Sequence, residues 1–286
     1  LNQTLELVAG GFAGLVIASD GPLFSAGADL KRFLADIRAG RFQEIDRFIA
    51  GLQAAFGALA RAPFPSVACP HGLTLGGGCE FSLHTTRQLL AGETYAGLVE
   101  PAVGLLPAGG GTTSLALRAY APAQRVPGVD PLPFLRQAFQ LICSSRRSGS
   151  GLEAIEMGLY PESASVTWSR ERQVALARQW VLEQAGRGHV APLSDRAIAV
   201  PGRSGIEALM APMRAALESG TVSEHDIAIA GWVATILCGG DVAAGTLLEQ
   251  QRFLDLEREG FVELCRGPAT AARIEHMLTT GRPLRN

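Results

Sequence analysis

The chain has 286 residues, 47% of them hydrophobic, which is enough to bury a substantial core in one or two domains. Its formal net charge of −2 argues against a general role in binding nucleic acids or anionic membranes. The five cysteines are scattered without a C-x-x-C spacing, which predicts neither a disulfide framework nor a zinc site and favours a reducing cytoplasm. The longest apolar run, Ile227–Cys238, is too short to span a bilayer.

The first part of the sequence alternates between strand and helix patterns. A short helical segment at 1–8 comes first. Strands are predicted at 14–19, 65–69 and 88–92, and helices at 29–39 and 44–61. Because strands that alternate with helices form a sheet covered by helices, this pattern predicts an α/β core.

Beyond about residue 145 the helical patterns dominate. Helices are predicted at 169–185, 204–219, 223–238, 246–265 and 268–280. The spacing from Ser204 to Glu207 predicts a capping box, and Pro212 predicts a kink in the same helix. The sequence therefore predicts an α/β core at 1–145 and a helical C-terminal region at 146–286.

Three consecutive glycines, Gly76-Gly77-Gly78, separate the strand at 65–69 from a helix predicted to begin at Glu80. Glycines let the backbone turn sharply and approach a ligand closely. The N–H groups of a helix's first turn lack acceptors within the helix and could hold an oxyanion, with the Glu80 carboxylate beside it. Alternatively, Glu80 simply stabilises the helix dipole, by about 0.3–1 kcal/mol.

A second carboxylate and a second glycine junction extend this pattern. Glu100 stands in an apolar stretch, where burial of an ionised carboxylate is costly, and Gly109-Gly110-Gly111 follows it. Earlier, the strand at 14–19 leads through Gly27 into the helix at 29–39. The sequence thus offers two strand–glycine–helix junctions, each able to supply one backbone N–H, together with two glutamates.

Three motifs make this sequence similar to the enoyl-CoA hydratase (crotonase) family. They are 24–30, 72–80 and 100–112, and they stand in the order and at the spacing that the family shows. The resemblance implies that the core at 1–145 is a right-handed spiral of ββα turns. It also implies reversible addition of water to a trans-2-enoyl-CoA, giving a 3-hydroxyacyl-CoA, in fatty-acid β-oxidation.

The resemblance implies a role for individual residues of each motif. The backbone N–H groups of Ala28 and Gly77 would form an oxyanion hole for the thioester carbonyl. Glu80 and Glu100 would hold the water, with one shared proton supplying both a base and an acid. Substrate-binding positions implied by the same motifs are Ala26, Asp29, Gly76, Pro107 and Gly109.

The C-terminal part of the sequence resembles one subgroup of this family. The stretches 256–264 and 277–286 resemble bacterial bifunctional 3-hydroxyacyl-CoA dehydrogenase/enoyl-CoA hydratases, in which the dehydrogenase precedes the hydratase. A chain that begins at Leu1 and lacks the family's first strands is expected to start inside a longer product. The resemblance implies no metal and no redox cofactor in this chain, coenzyme A as substrate carrier, and NAD only in an upstream dehydrogenase domain. A homo-oligomer, possible contacts with other β-oxidation enzymes and a cytoplasmic location are also expected.

Several residues also have a purely structural interpretation. Asp29 could cap its helix, His84 could make an i,i+4 contact with Glu80 instead of a metal pair, and Cys79 could be a small buried residue. The glycines at 109–111 could cradle a phosphate or merely allow close backbone packing. For the whole chain, the alternatives are a Δ3-Δ2-enoyl-CoA isomerase and a catalytically idle acyl-CoA-binding or assembly module.

Overall fold

The computed structural model describes residues 1–191 and 197–286, which form two compact units built from three stretches each. The first unit consists of Leu1–Ala28, Gly51–Leu98 and the described part of Arg147–Leu193. The second consists of Asp29–Ala50, Val99–Arg146 and the described part of Ser194–Asn286. The division into consecutive domains at residue 145 stays a prediction.

The secondary structure follows the chain as short strands and longer helices. The strands are β1 Leu15–Ile17, β2 Ser66–Ala68, β3 Gly72–Leu75, β4 Arg87–Ala91, β5 Thr94–Gly97, β6 Ser165–Thr167, β7 Ile198–Val200 and β8 Thr246–Leu248. The helices are α1 Asn2–Ala9, α2 Leu30–Arg38, α3 Phe42–Ala60, α4 Gly77–Leu83, α5 Gly111–Arg125, α6 Leu132–Cys143, α7 Gly151–Glu156, α8 Arg170–Gly186, α9 Gly202–Glu218, α10 Glu224–Leu237, α11 Gln250–Arg266 and α12 Pro268–Thr280, with a 3-10 turn at Glu100–Val103.

The first unit is built on two parallel sheets. One has the strand order β1-β2-β4-β6 and the other pairs β3 with β5. Along the chain β2 lies in one sheet and β3 in the other before α4 follows, and β4 and β5 repeat the alternation. Helix α8 covers the larger sheet, where Val67, Cys69, Ala177 and Val181 form a buried cluster. The predicted α/β core is confirmed, and these repeats correspond to successive ββα turns.

The second unit is mainly helical. Helix α10 packs against α5, α6, α9 and α11, and it buries one broad face that includes Ile229, Val233 and Leu237. The buried Tyr120 hydroxyl of α5 donates to the Leu237 carbonyl at 2.7 Å. Strands β7 and β8 pair antiparallel at the side of this helical assembly. The helical character predicted for the C-terminal region is therefore confirmed.

Two details of the helices predicted beyond residue 145 are wrong. Helix α9 already begins at Gly202, so Ser204 lies inside it and its hydroxyl donates to the Pro201 carbonyl at 2.9 Å instead of capping. Glu207 forms an exposed ion pair with Arg214. The capping box is found one helix later, between Ser223 and Asp226 at the start of α10. Residues 246–248, predicted as helix, form β8 because they pair with β7.

Within the described part of the chain, every helix is too short or too polar to cross a lipid bilayer.

Candidate active site

The first motif and the glycine run are joined through strand β3 in the first unit. Ser25 pairs with Thr74 in a parallel bridge, and the Leu75 N–H donates to the Ser25 carbonyl at 3.0 Å. A Cβ atom placed on Gly27 would lie 3.3 Å from the Leu75 carbonyl oxygen and 4.0 Å from Gly76 Cα. The segment from Ala26 to Ala28 therefore lies directly beside the start of α4.

Gly78 shows how closely the two segments approach each other. A Cβ atom at this position would overlap the side chain of Ser25, so no other residue fits without displacing the backbone. Helix α4 begins earlier than predicted, at Gly77, and its first intrahelical bond runs from the Glu80 N–H to the Gly76 carbonyl at 3.0 Å. The glycines thus form part of the helix's first turn, not a loop before it.

Two backbone N–H groups of this junction face no acceptor of the chain. The Gly77 N–H precedes the first bonded position of α4, and among residues 1–191 and 197–286 neither it nor the Ala28 N–H donates to another group. Ala28 is exposed and Gly77 half-buried, so neither residue is closed off from solvent. The two donors are those that the resemblance assigns to the oxyanion hole.

Glu80 lies beside these donors on α4. Its side chain is 2% exposed, and a Cβ atom on Gly77 would be 3.9 Å from Glu80 Oε2. A carboxylate that only stabilised the helix dipole would gain most of that benefit at the surface, without the cost of desolvation. Burial beside the glycine turn therefore favours a chemical role for Glu80 over the structural alternative.

The side chain of His84 contacts the backbone carbonyl of Glu80. Its Nδ1 lies 2.7 Å from the Glu80 carbonyl oxygen, which can only accept, so Nδ1 carries the hydrogen. Burial lowers the pKa of His84, which favours the neutral ring. No group of three or more His, Cys, Asp or Glu side chains suited to a metal ion occurs in the described residues. The i,i+4 interpretation of His84 agrees with this geometry.

Glu100 lies in the second unit, at the first position of the 3-10 turn Glu100–Val103. It is half-buried, and the turn closes when the Leu105 N–H donates to the Glu100 carbonyl at 3.1 Å. Gly104 ends the turn with a φ of 84°, a left-handed conformation that favours glycine. Local backbone geometry therefore fixes the Cα of Glu100.

A buried glutamate that the sequence analysis missed completes the third motif. The Glu257 carboxylate of α11 is fully buried and accepts from the Gly110 N–H at 2.9 Å and from the Thr113 N–H. It thereby caps α5, whose own N-cap residue is a glycine without a side chain. Because a carboxylate accepts from the Gly110 N–H, the structure favours close backbone packing over a phosphate site as the interpretation of the glycines at 109–111.

A sequence signal for Glu257 did exist. Phe253, Gly260 and Leu264 are buried on the same helical face at spacings of three to four residues, so a carboxylate at 257 interrupts an apolar stripe. A charged residue at such a position needs a buried partner. The partner itself, two backbone N–H groups more than a hundred positions earlier, has no signature in sequence.

The remaining predicted residues have clear places. Ala26 and Gly76 belong to the glycine junction of the first unit, together with Ala28, Gly77 and Glu80. In the second unit Asp29 caps α2 by accepting from the Lys31 and Arg32 N–H groups at 3.0 and 3.2 Å. Buried Pro107 accepts from the Thr112 hydroxyl at 2.9 Å, and Gly109 is also buried. The structure therefore joins five predicted residues in one unit and holds Asp29, Glu100, Pro107 and Gly109 in the other.

Sequence relatives agree with the motif assignment. Residues 11–120 match the family described as enoyl-CoA hydratase/isomerase. The whole chain is 34% identical to a Bacillus subtilis (strain 168) protein named probable 3-hydroxyacyl-CoA dehydrogenase, covering 36% of that protein. Over 171 residues it is 28% identical to the fatty acid oxidation complex subunit alpha of Psychrobacter cryohalolentis, covering 60% of this chain and 22% of that one. The chain spans only about a third or less of the length of these curated relatives.

Solved structures show the same fold at low sequence identity. A carnitinyl-CoA dehydratase from Mycobacterium thermoresistibile superposes with a TM-score of 0.66 at 16% identity, covering 98% of this chain and 81% of that one. An enoyl-CoA hydratase from Rhodobacter sphaeroides 2.4.1 gives 0.62 at 20% identity, covering 100% and 83%. The fold is therefore crotonase-like. The three motifs, the family match over residues 11–120 and this fold together make the chain similar to the enoyl-CoA hydratase/isomerase family.

Proposed function

We propose that this chain is the enoyl-CoA hydratase part of a fatty-acid β-oxidation protein, adding water reversibly to trans-2-enoyl-CoA. The observation that carries the proposal is the pair of Ala28 and Gly77 N–H groups beside the buried Glu80 carboxylate. Two donors without acceptors match a thioester carbonyl whose oxygen gains negative charge as a nucleophile attacks Cβ. The carboxylate supplies the proton acceptor that activates the nucleophile.

The proposed reaction conserves all the atoms of water. Hydrogen bonds from Ala28 and Gly77 polarise the conjugated double bond, and water attacks Cβ after losing a proton to a carboxylate. A proton then reaches Cα through Glu100, which gives the 3-hydroxyacyl thioester. Glu100 takes this part on the resemblance of its motif, and one proton shared by Glu80 and Glu100 would supply an acid and a base together.

The names of the relatives support the proposal that this chain is part of a longer protein with a second enzyme activity. A 3-hydroxyacyl-CoA is the substrate class that a 3-hydroxyacyl-CoA dehydrogenase oxidises, and the Bacillus subtilis relative carries that name over a length of which this chain covers 36%. We propose that a dehydrogenase in the same polypeptide consumes the hydratase product. In this arrangement NAD would bind to the dehydrogenase, and coenzyme A would be the only carrier that this chain handles.

The decisive experiment measures hydration of crotonyl-CoA by the polypeptide that contains this chain. Glu80→Gln and Glu100→Gln keep the side-chain shape, and each should lower kcat by about 10²–10⁴, the usual contribution of a general acid or base. Glu93→Gln, an exposed glutamate in the same unit as Glu80, is the matched control and should keep parental activity. A kcat within about threefold of the parent for either variant would remove that residue from the mechanism.

A double variant tests whether the two glutamates act on one water. If they do, Glu80→Gln/Glu100→Gln should lose scarcely more activity than the worse single variant, since residues that act as a unit are not additive. Multiplicative losses would assign them to separate steps.

The isomerase alternative stays open because the matched family is described as hydratase/isomerase. An isomerase would use the same oxyanion hole but shuttle a proton without adding water. Incubation of 3-enoyl-CoA and crotonyl-CoA with the protein separates the two activities, since only a hydratase produces 3-hydroxybutyryl-CoA.

A further inference from the structure

The turn that carries Glu100 is held by polar side chains from two distant helices of the same unit. Arg273 of α12 donates from Nη1 to the Pro101 carbonyl at 3.2 Å, and the Thr270 hydroxyl lies 2.9 Å from the Gly104 carbonyl oxygen and 2.7 Å from that of Leu264. His225 of α10 places Nε2 3.2 Å from the same Gly104 oxygen and 3.0 Å from Thr270 Oγ1. The Pro101 and Gly104 carbonyls belong to the turn that Glu100 begins.

The hydrogen of His225 can be assigned from these contacts. The Thr270 hydroxyl has one hydrogen and lies within reach of two carbonyl oxygens, those of Gly104 and Leu264. Nε2 therefore faces acceptors on both sides and must carry the ring hydrogen. Burial, and then the charge of Arg273, lower the pKa of His225, which agrees with a neutral ring that donates through Nε2.

Arg273 is itself fixed in direction. Its side chain is 2% exposed, Nη2 donates to Ser223 Oγ at 2.9 Å and pairs with Asp226 Oδ1 at 2.8 Å, and Nε donates to Asn286 Oδ1 at 2.8 Å. Because the guanidinium is planar and each nitrogen has a partner, the direction of the Nη1 bond to Pro101 cannot vary independently.

The same three residues also lie against the end of the turn, Thr270 with its backbone and the other two with their side chains. A Cβ atom on Gly104 would lie 2.9 Å from Thr270 Cα, 3.0 Å from His225 Nε2 and 3.2 Å from Arg273 Cδ. Inside the turn, the Gly104 N–H donates to the Pro101 carbonyl at 3.1 Å. A displacement of α10 or α12 would therefore move the Pro101 and Gly104 carbonyls of the turn that Glu100 begins.

We propose that Arg273, Thr270 and His225 are positioning residues that aim the Glu100 carboxylate by holding the Pro101 and Gly104 carbonyls. The inference rests on the proposed function, because it concerns the carboxylate assigned to proton transfer. Displacement of a reacting group by about 1 Å can cost as much as 10²-fold in rate. The network thus affects turnover without touching the substrate.

Thr270 allows a matched test in the complete polypeptide. Thr270→Val keeps the shape and removes the hydrogen bond, whereas Thr270→Ser keeps the hydroxyl and loses a methyl group. If Thr270 positions Glu100, Thr270→Val should lower the kcat of crotonyl-CoA hydration about tenfold with KM unchanged. Thr270→Ser should retain the parental kcat. If Thr270 only fills space, Ser should be impaired at least as much as Val, and that result would overturn the inference. Tyr120→Phe removes a buried bond between α5 and α10 away from the turn and should leave kcat unchanged.

Hydrogen exchange separates this inference from the proposed function. In Thr270→Val and in Arg273→Lys, exchange at residues 99–105 should rise about tenfold relative to the parent, while α5 and α6 stay protected. A parent protein that does not hydrate enoyl-CoA would refute the proposed function, and the exchange result would still report on the turn. Unchanged exchange at residues 99–105, or parental kcat in both variants of an active parent, would refute the positioning role.

Discussion

The glycine junction of the first unit and the Glu100 turn of the second reach a defined geometry by opposite means. At the junction, the glycines have no side chains: Gly78 allows Ser25 to approach, and backbone hydrogen bonds hold the two segments together. At the turn, buried polar side chains are added, because Arg273, Thr270 and His225 bind its carbonyl groups. The junction therefore depends on nearby small residues, whereas the turn depends on residues more than a hundred positions away.

The largest effect should follow from adding a side chain at the junction. Gly78→Ala forces a Cβ into Ser25, and overpacking of this kind usually costs about 1–3 kcal/mol of folding free energy. The displaced N–H groups should also lower hydration by about 10²-fold, as for loss of an oxyanion donor. Urea denaturation and crotonyl-CoA kinetics measure the two losses.

Gly51→Ala is the control for this variant. A Cβ at Gly51, inside α3, meets no atom within 4 Å, so alanine should stabilise the helix by about 0.5–1 kcal/mol and leave activity unchanged. If Gly78→Ala and Gly51→Ala had the same stability and the same hydration activity, the close approach of Ser25 to Gly78 would be contradicted.

Loss of a buried cap should have the next largest effect. Glu257→Gln keeps one oxygen acceptor but turns an NH₂ group toward the second backbone donor, which should destabilise the protein by about 1–3 kcal/mol. Glu259→Gln, two residues along α11, removes only an exposed ion pair with Arg252 and should change stability by less than about 0.5 kcal/mol. Chemical denaturation of both variants should show this difference. A Glu257→Gln variant as stable as the parent would show that the cap contributes nothing.

A smaller and gradual loss of folding stability is expected as pH falls. His84 of the first unit and His225 of the second have pKa values lowered by burial, so the unfolded chain binds more protons than the folded one. Their contribution to stability is complete above the ordinary histidine pKa of 6.5 and is lost as pH falls from there through the lower folded values.

His84→Asn and His225→Gln place an amide N–H near the position of each donating ring nitrogen. The double variant should therefore lose less stability than the parent between neutral and mildly acidic pH. A parental slope in the double variant would assign the pH dependence to other groups.

The last prediction is that NAD does not bind to this chain. Neither glycine run suits a dinucleotide, because a carboxylate lies at each: Glu80 beside the first run, and Glu257 as acceptor of the Gly110 N–H in the second. We expect this chain alone to show no saturable NAD binding by calorimetry and no NADH formation from 3-hydroxybutyryl-CoA. Binding of NAD to this chain would show that the redox site was assigned to the wrong part of the protein.

Much of the first unit could be predicted because its information is local. The strand at 14–19, the glycine run and Glu80 each have a signal in their own short stretch of sequence, although the segments that they join are about fifty positions apart. Even here β3 and β5 were missed, because Gly72–Leu75 and Thr94–Gly97 are four-residue segments whose pairing, not their composition, makes them strands. In α3, Ile45 and Ile49 are buried whereas Phe48 of the same helix is 43% exposed, a difference that apolar composition alone does not predict.

The second unit was harder to predict because its contacts are distant. Helices α10, α11 and α12 follow from their apolar periodicity, yet the periodicity does not indicate that Glu257 caps α5 or that Arg273 binds Pro101. Both charged residues lie on buried helix faces, which marks them as unusual without naming a partner. Such pairs become visible only when the backbone of both partners is placed.

The Glu257 cap also has a consequence for the order of folding during synthesis. Gly110 and Glu257 are 147 positions apart, so the first turn of α5 cannot acquire its native acceptor until α11 has left the ribosome. Contacts over such separations form late, since the intervening chain must first be ordered. The nascent third motif therefore remains incomplete until α11 has been made, and a chain interrupted before residue 257 leaves the amides of Gly110 and Thr113 to solvent or to chaperones.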